Sequence, residues 1–217
     1  MARTVWGFDE AVKHVSRVRQ VYKKNMKRAT LENSISLRDG IKRTIRDGHP
    51  EWEDLSPLTT NFKQSEKPLI DSGDLMNAVD FKTIGEMMFF IGIPRRAKSR
   101  DGLKLVNIAM VHEKGATIKP KKAKMLCVPL TKAASRLARK HGGVRNIPGL
   151  FRPEGTKVLA MPTKGGFKPV FVLLPKSVIP PRPFVEPTLR AHRAQMTKRW
   201  LAAADATMRG EPYRAAA

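Results

Sequence analysis

The segment from Leu173 to Leu189, LLPKSVIPPRPFVEPTL, restricts the fold of this chain more than any other stretch. An apolar run with the length and composition of a strand, PVFVLL at 169–174, leads into it. Pro180, Pro181 and Pro183 then exclude both a helix interior and a central sheet strand, so an extended connector must follow. Phe184 and Val185 come next. Pro187 stands where a helix can begin, because a proline at the first helical position forfeits no hydrogen bond. Strand, stiff arm, anchor and helix are expected in that order.

A chain of 217 residues can bury one substantial core or two small ones, and one domain with appendages is expected. Hydrophobic residues at 41% and charged residues at 28% are a globular composition rather than a disordered one. No apolar run approaches the roughly 18 residues that span a bilayer. The opening MARTVWGFDEAV lacks the apolar stretch and cleavage site of a signal peptide, so a soluble chain made in a cytoplasm, with no membrane partner, is expected. Cys127 is the only cysteine, which rules out an internal disulfide, and its setting MLCVPL reads as a buried strand position.

Forty-two Lys and Arg against nineteen Asp and Glu give a net charge of +23. Such a surface suits a polyanion or an acidic protein partner, or is simply the solvated surface of an assembly subunit. Were six to eight phosphates neutralised, log affinity would fall with log salt at a slope of roughly −5 to −7.

From Phe8 to about Arg46 the pattern is helical. Val12, Val15, Val18, Tyr22 and Met26 recur at three- and four-residue steps, and Leu31, Ile35, Leu37, Ile41 and Ile45 continue a stripe, as one helix or two. Gly40 weakens the second half, and Asp47, Gly48 and Pro50 end it. Residues 49–68 have no sustained period and read as a loop anchored by Trp52 and Leu55. LIDSGDLMNAV then predicts a short helix capped by Asp71 or Ser72, with Leu75, Met76 and Val79 as apolar contacts.

VDFKTI and MMFFIGI, split near Gly85, predict a hairpin, followed by the basic loop PRRAKSRDG. LVNIAMVHEKG predicts a helix closed by Gly115, and ATIKPKKAKMLCVPL a lysine-rich turn feeding a buried strand. Thr131 to about Gly155 begins as a helix and ends as a loop, so 131–167 reads as an insertion between strands. KVLAMP and KPVFVLL form a second hairpin around TKGGF. Leu189, Met196, Trp200 and Ala203 or Ala204 mark the inner face of a last helix, after which GEPYRAAA is expected to fray. The resulting division is a basic helical region at 1–48, a core at 49–189, and a C-terminal helix with its tail at 190–217. Its class is α+β: an antiparallel sheet packed against N-terminal and C-terminal helices, with extended loops or arms.

Candidates for catalysis are few. His112-Glu113 lacks the second histidine of a zinc-protease helix, and Ser72 is not in a nucleophile elbow. Asp71, Ser72 and Asp74 are explained as helix caps, and TKGGF has neither phosphate-loop nor dinucleotide spacing. A non-enzymatic chain without metal or cofactor is expected. Two cationic loops can meet phosphates or an acidic partner: Arg95, Arg96, Lys98 and Arg100, and Lys119, Lys121, Lys122 and Lys124. Neither interleaves aromatics with its charges, so DNA contact would be to backbone and weak in sequence preference.

Four blocks in order resemble the phage virion-morphogenesis or tail-completion family, which includes the Mu-like G proteins and related head–tail joining components. WEDLSPLT at 52–59 is similar to its tryptophan loop, and LIDSGDLMNAV at 69–79 to its LIDTGxLxxSI segment. VHEKGATIKPKKAKMLCVPL at 111–130 resembles IHxxGGxIxPKKAKxLxIP, and KSVIPPRPFVEPTL at 176–189 resembles KSVxIPARPFL. Ala116 replaces the second glycine of the third block, and Pro181 stands where a small residue is usual. Both reduce backbone freedom.

The resemblance implies a structural subunit that completes the tail or joins it to the head, located in the virion at the neck or tail end. A ring, with six-fold symmetry favoured, is implied, with tail-tube or connector proteins as partners and non-specific contact with packaged DNA as a further one. The matched residues Trp52, Asp71, Gly73, Leu75, His112, Gly115, Pro180, Arg182, Pro183 and Phe184 are then candidates for structural or subunit-interface roles. The IPPRPF arm and the lysine-rich turn at 119–124 are the segments expected to reach a neighbour, unless Phe184 packs on its own domain. A basic DNA-binding or packaging protein is the alternative.

Overall fold

The computed structural model describes residues 7–63, 65–121 and 123–214. The chain is α+β and divides into two compact units, one formed by Met1–Gly48, Gly73–Val106 and Pro183–Ala217, the other by His49–Ser72 and Asn107–Arg182. Neither N- nor C-terminal helix is an appendage: they belong to one unit.

In the first unit, helix α1 (Phe8–Asp47) runs unbroken and packs against α6 (Glu186–Met208) in the opposite direction. Asn25 donates to the Thr207 hydroxyl at 3.0 Å, Asn33 to the Met196 carbonyl at 3.1 Å, and the Thr44 and Thr188 hydroxyls meet at 2.8 Å. Small residues let the helices approach. Ala29, Ala203 and Ala206 are buried together with Tyr213. Gly40, which weakens the helix by propensity, serves the crossing, since a Cβ there would lie 2.6 Å from His192 Cε1 and 2.8 Å from Thr188 Cγ2. Gly48, at φ 87°, ends α1.

Two expectations about these helices are corrected. The stripe Val12, Val15, Tyr22 is exposed, and the buried face of α1 begins at Asn25 and continues through Leu37, Ile41 and Ile45. Likewise Leu189 and Trp200 are exposed, whereas Ala203 is buried as expected and shares the inner face of α6 with Thr188, Ala206 and Thr207. The periodicity was helical in both cases, but helix packing here selects small and polar residues over the large apolar ones. The tail also departs from fraying: Tyr213 is buried, its N–H donates to Asn25 Oδ1 at 2.8 Å and its hydroxyl to Glu32 at 3.0 Å.

The same unit contains α3 (Asp74–Asn77), capped by Gly73 at φ 81° rather than by Asp71 or Ser72. It also contains the antiparallel hairpin β1 (Asp80–Thr83) and β2 (Phe89–Gly92). The Arg38 guanidinium sits 5.2 Å from the Phe81 ring centre, and Lys23 pairs with Glu86 at the hairpin tip at 3.0 Å. The division between units falls within α4 (Leu105–Lys114), after Val106.

The second unit is built on β4 (Leu126–Pro129), β5 (Val158–Thr163) and β6 (Gly166–Leu174), antiparallel in the order β4-β6-β5. Helix α5 (Lys132–Lys140), capped by the Thr131 hydroxyl, covers it, and Ala134, Ile147, Val170 and Phe171 form the core. Cys127 is half-buried at its rim, and burial raises its thiol pKa. Strands β3 (Ala116–Ile118) and β7 (Ser177–Ile179) pair separately, so the single sheet expected from sequence is three small ones. The loop at 49–68 contains one further short helix, α2 (Pro57–Phe62), whose N-cap is the Ser56 hydroxyl.

Candidate functional site

In the second unit, three sequence blocks far apart in the chain are joined at one buried residue, through its side chain and its main-chain N–H. Strand β7 pairs with β3, which brings the chain after Ile179 alongside the turn at Gly115. Gly115 has φ 72°, and a Cβ there would lie 3.0 Å from both the Ile179 carbonyl and the Pro181 nitrogen. Only glycine fits such a turn without moving backbone. The prolines hold the next residues extended, and the Arg182 N–H donates to the His112 carbonyl at 2.6 Å.

Arg182 is 4% exposed. Its guanidinium donates to the Glu53 carbonyl from Nη2 at 2.8 Å and from Nε at 3.2 Å, and to the Asp54 carbonyl at 3.3 Å. These are main-chain oxygens of the loop that carries buried Trp52. A guanidinium suits the task because its fixed fork of donors satisfies several carbonyls while staying charged. The stiff connector thus spends its arginine within its own chain.

A second cation lies in the same electrostatic neighbourhood. Lys63 donates to the Pro68 carbonyl at 2.7 Å and to the Lys67 carbonyl. Burial holds its pKa below the ordinary lysine value; Asp71 opposes that shift and Arg182 adds to it. The His112 ring is pushed the same way, first by burial and then by the charges of Arg182 and Lys63. Among the described residues its buried Nδ1 has no hydrogen-bond partner.

The remaining sequence candidates fall elsewhere. Gly73 and Leu75 lie in the first unit, where Leu75 is buried. Phe184 also belongs there and is 1% exposed, so it packs on its own chain and does not project toward a neighbour. Pro180 and Pro183 are half-buried. Arg95, Arg96 and Lys98 are exposed, whereas Arg100 pairs with Asp74 at 3.5 Å. Lys119, Lys121 and Lys124 are exposed on the turn between β3 and β4, and Lys122 lies outside the described residues. Sequence reasoning missed Lys63 and the Glu53 carbonyl. Neither carried a periodic or motif signal, since one is a loop lysine and the other a main-chain atom.

Among the described residues no three His, Cys, Asp or Glu side chains converge to hold a metal, and no helix is long and apolar enough to cross a membrane. The arrangement clamps loops by charge-assisted hydrogen bonds. Comparison with protein-family models, with curated proteins and with solved structures gave no match.

Proposed function

We propose that this chain is a structural subunit of a tailed-phage virion, completing the tail or joining it to the head as a member of a ring. The observation that carries this reading is the Arg182 junction. Its parts are the tryptophan loop, the HEKG turn and the IPPRPF connector, three of the four blocks that resemble the tail-completion family. These stretches, far apart in the chain, meet at one residue. The chemistry is that of a scaffold: a guanidinium holding carbonyls, prolines stiffening a connector, and a glycine allowing close passage.

Deleting the coding sequence from the genome that carries it, followed by electron microscopy of the particles, tests the proposal. Separate heads and tails, or unstable junctions, are expected. Joined and infectious virions would end it.

A DNA-contacting role has one observation of its own, the exposed Arg95, Arg96, Lys98, Lys119, Lys121 and Lys124. Duplex binding by the isolated monomer, falling steeply with salt, would favour it. Ring formation without DNA would count against it.

A further inference from the structure

Among the described residues, two apolar stripes of the first unit are exposed. One lies on the first turns of α1, where Phe8 and Val15 are each 65% exposed, and Val12 and Tyr22 are exposed beside them. Helix α6 ends at Met208 and the turn at Gly210 lies against Arg17, while the described residues from Gly7 to Arg17 are exposed. A lone helix of this length is marginal in water. The other stripe is a groove of about 510 Å³ along α6, lined by Leu189, Arg190, Arg193, Met196 and Trp200, where Leu189 is 44% and Trp200 37% exposed.

We propose that residues 8–22 of α1 dock, parallel, into the α6 groove of a second copy, joining copies head to tail; the idea rests on the ring reading and supplies its interface. The intervals on the two helices agree. Seven residues separate Phe8 from Val15 and four more lead to Arg19; seven separate Leu189 from Met196 and four more lead to Trp200. In that register Phe8 meets Leu189, Val15 meets Met196, and the Arg19 guanidinium lies over the Trp200 indole, a favourable cation–π pairing. Asp9 falls beside Arg190. The opposite direction would set Arg19 against Leu189 and carry Asp9 away from Arg190.

Charge enters the contact from both sides: Arg190, paired with Glu186 at 2.8 Å, and Arg193 line the groove, Arg19 shares the stripe, and Lys23 beside it is paired with Glu86. Lys13, Arg17 and Lys24 lie roughly 140–180° around α1 from Phe8, on the far side from the stripe. The arm is about 22 Å long, the same as α6 from Glu186 to Trp200. Because the two surfaces differ and lie on separate helices, each copy can offer both at once, as head-to-tail assembly requires, and a ring follows where the rotation between copies closes.

The test uses the full chain, with association followed by sedimentation. Val15→Glu and Met196→Glu should each weaken self-association at least ~100-fold, equivalent to about 2.7 kcal/mol. Mixed together they should form a dimer and nothing larger, because one intact arm and one intact groove remain. A Val12→Cys, Arg193→Cys double variant on a Cys127→Ser background should form a disulfide between copies, which fixes the register. Assembly of both glutamate variants like the unaltered chain would overturn the contact, as would a chain monomeric at ~100 µM, a concentration at which even weak interfaces associate. So would normal assembly of Met196→Glu alone, which would mean that the arms pair with each other. Should the contact fail while particles lacking the protein still fall apart, the virion reading survives without it; a confirmed contact with intact virions sinks only that reading.

Discussion

The Arg182 guanidinium and the Glu53 carbonyl, 129 residues apart in the chain, meet at 2.8 Å with the arginine almost fully buried. Replacing Arg182 with Ala leaves the Glu53 and Asp54 carbonyls without their donor and should cost about 1.5–3 kcal/mol, the usual size for hydrogen bonds to a charged group. Lys at this position keeps the charge but loses the fork, and should recover only part of that stability. Thermal or urea unfolding measures both. An Arg182→Ala variant as stable as the unaltered chain would remove the clamp from this account.

Gly115→Ala should be more damaging than an ordinary glycine replacement. The positive φ and the contacts at 3.0 Å with backbone atoms add together, and backbone cannot move aside as a side-chain tip can. A loss of about 2 kcal/mol or more in unfolding free energy is expected. Gly102→Ala, where φ is 79° but open space surrounds the Cβ, is the control and should cost only about 1 kcal/mol.

At the α1–α6 crossing, Gly40→Ala sets helix propensity against packing. Alanine gains up to ~1 kcal/mol in a helix, yet its Cβ would press on Thr188 and His192, and overpacking of this kind costs about 1–3 kcal/mol. Net destabilisation is the expected sign. A stabilised variant would show that the helices can part at no cost.

The C-terminal tail is tethered through Asn25, which accepts from the Tyr213 N–H and donates to the Glu211 carbonyl. Asn25→Ala should lower stability by about 1–3 kcal/mol and expose the chain after Met208 to proteases. Cleavage at the same rate in both proteins would contradict the tether.

His112 gives the fold an acid-sensitive point. Its folded pKa lies below the ordinary 6.5, so the unfolded chain takes up its proton first as pH falls. Its contribution to stability is therefore complete above that value and is lost as pH falls through the folded pKa. His112→Asn should lose less melting temperature than the unaltered chain between about pH 7.5 and pH 5. Equal losses would mean that other groups set the response.

The sequence disclosed the elements better than their faces. Both hairpins, α4 with its closing Gly115, and the strand, connector and helix around Pro180–Pro187 are where turn chemistry and periodicity put them. Leu37, Ile41, Ile45 and Ala203 are buried as read, but the rest of the inner faces was misread because burial there falls on Asn25, Asn33, Thr188 and Thr207, polar residues whose partners lie up to 188 positions away. No local pattern reports such a pair. In the same way Arg182 was legible as part of a motif, but its partners are main-chain carbonyls, which leave no mark on composition.

The most direct measurement of the central claim is in-vitro complementation. Lysates from a phage lacking this coding sequence would be mixed with the purified chain, and infectious titre and joined particles counted. Restoration by the unaltered chain, and failure of Arg182→Ala at a temperature where the junction is unfolded, is the expected result. Full titre in the unsupplemented lysate would contradict the claim.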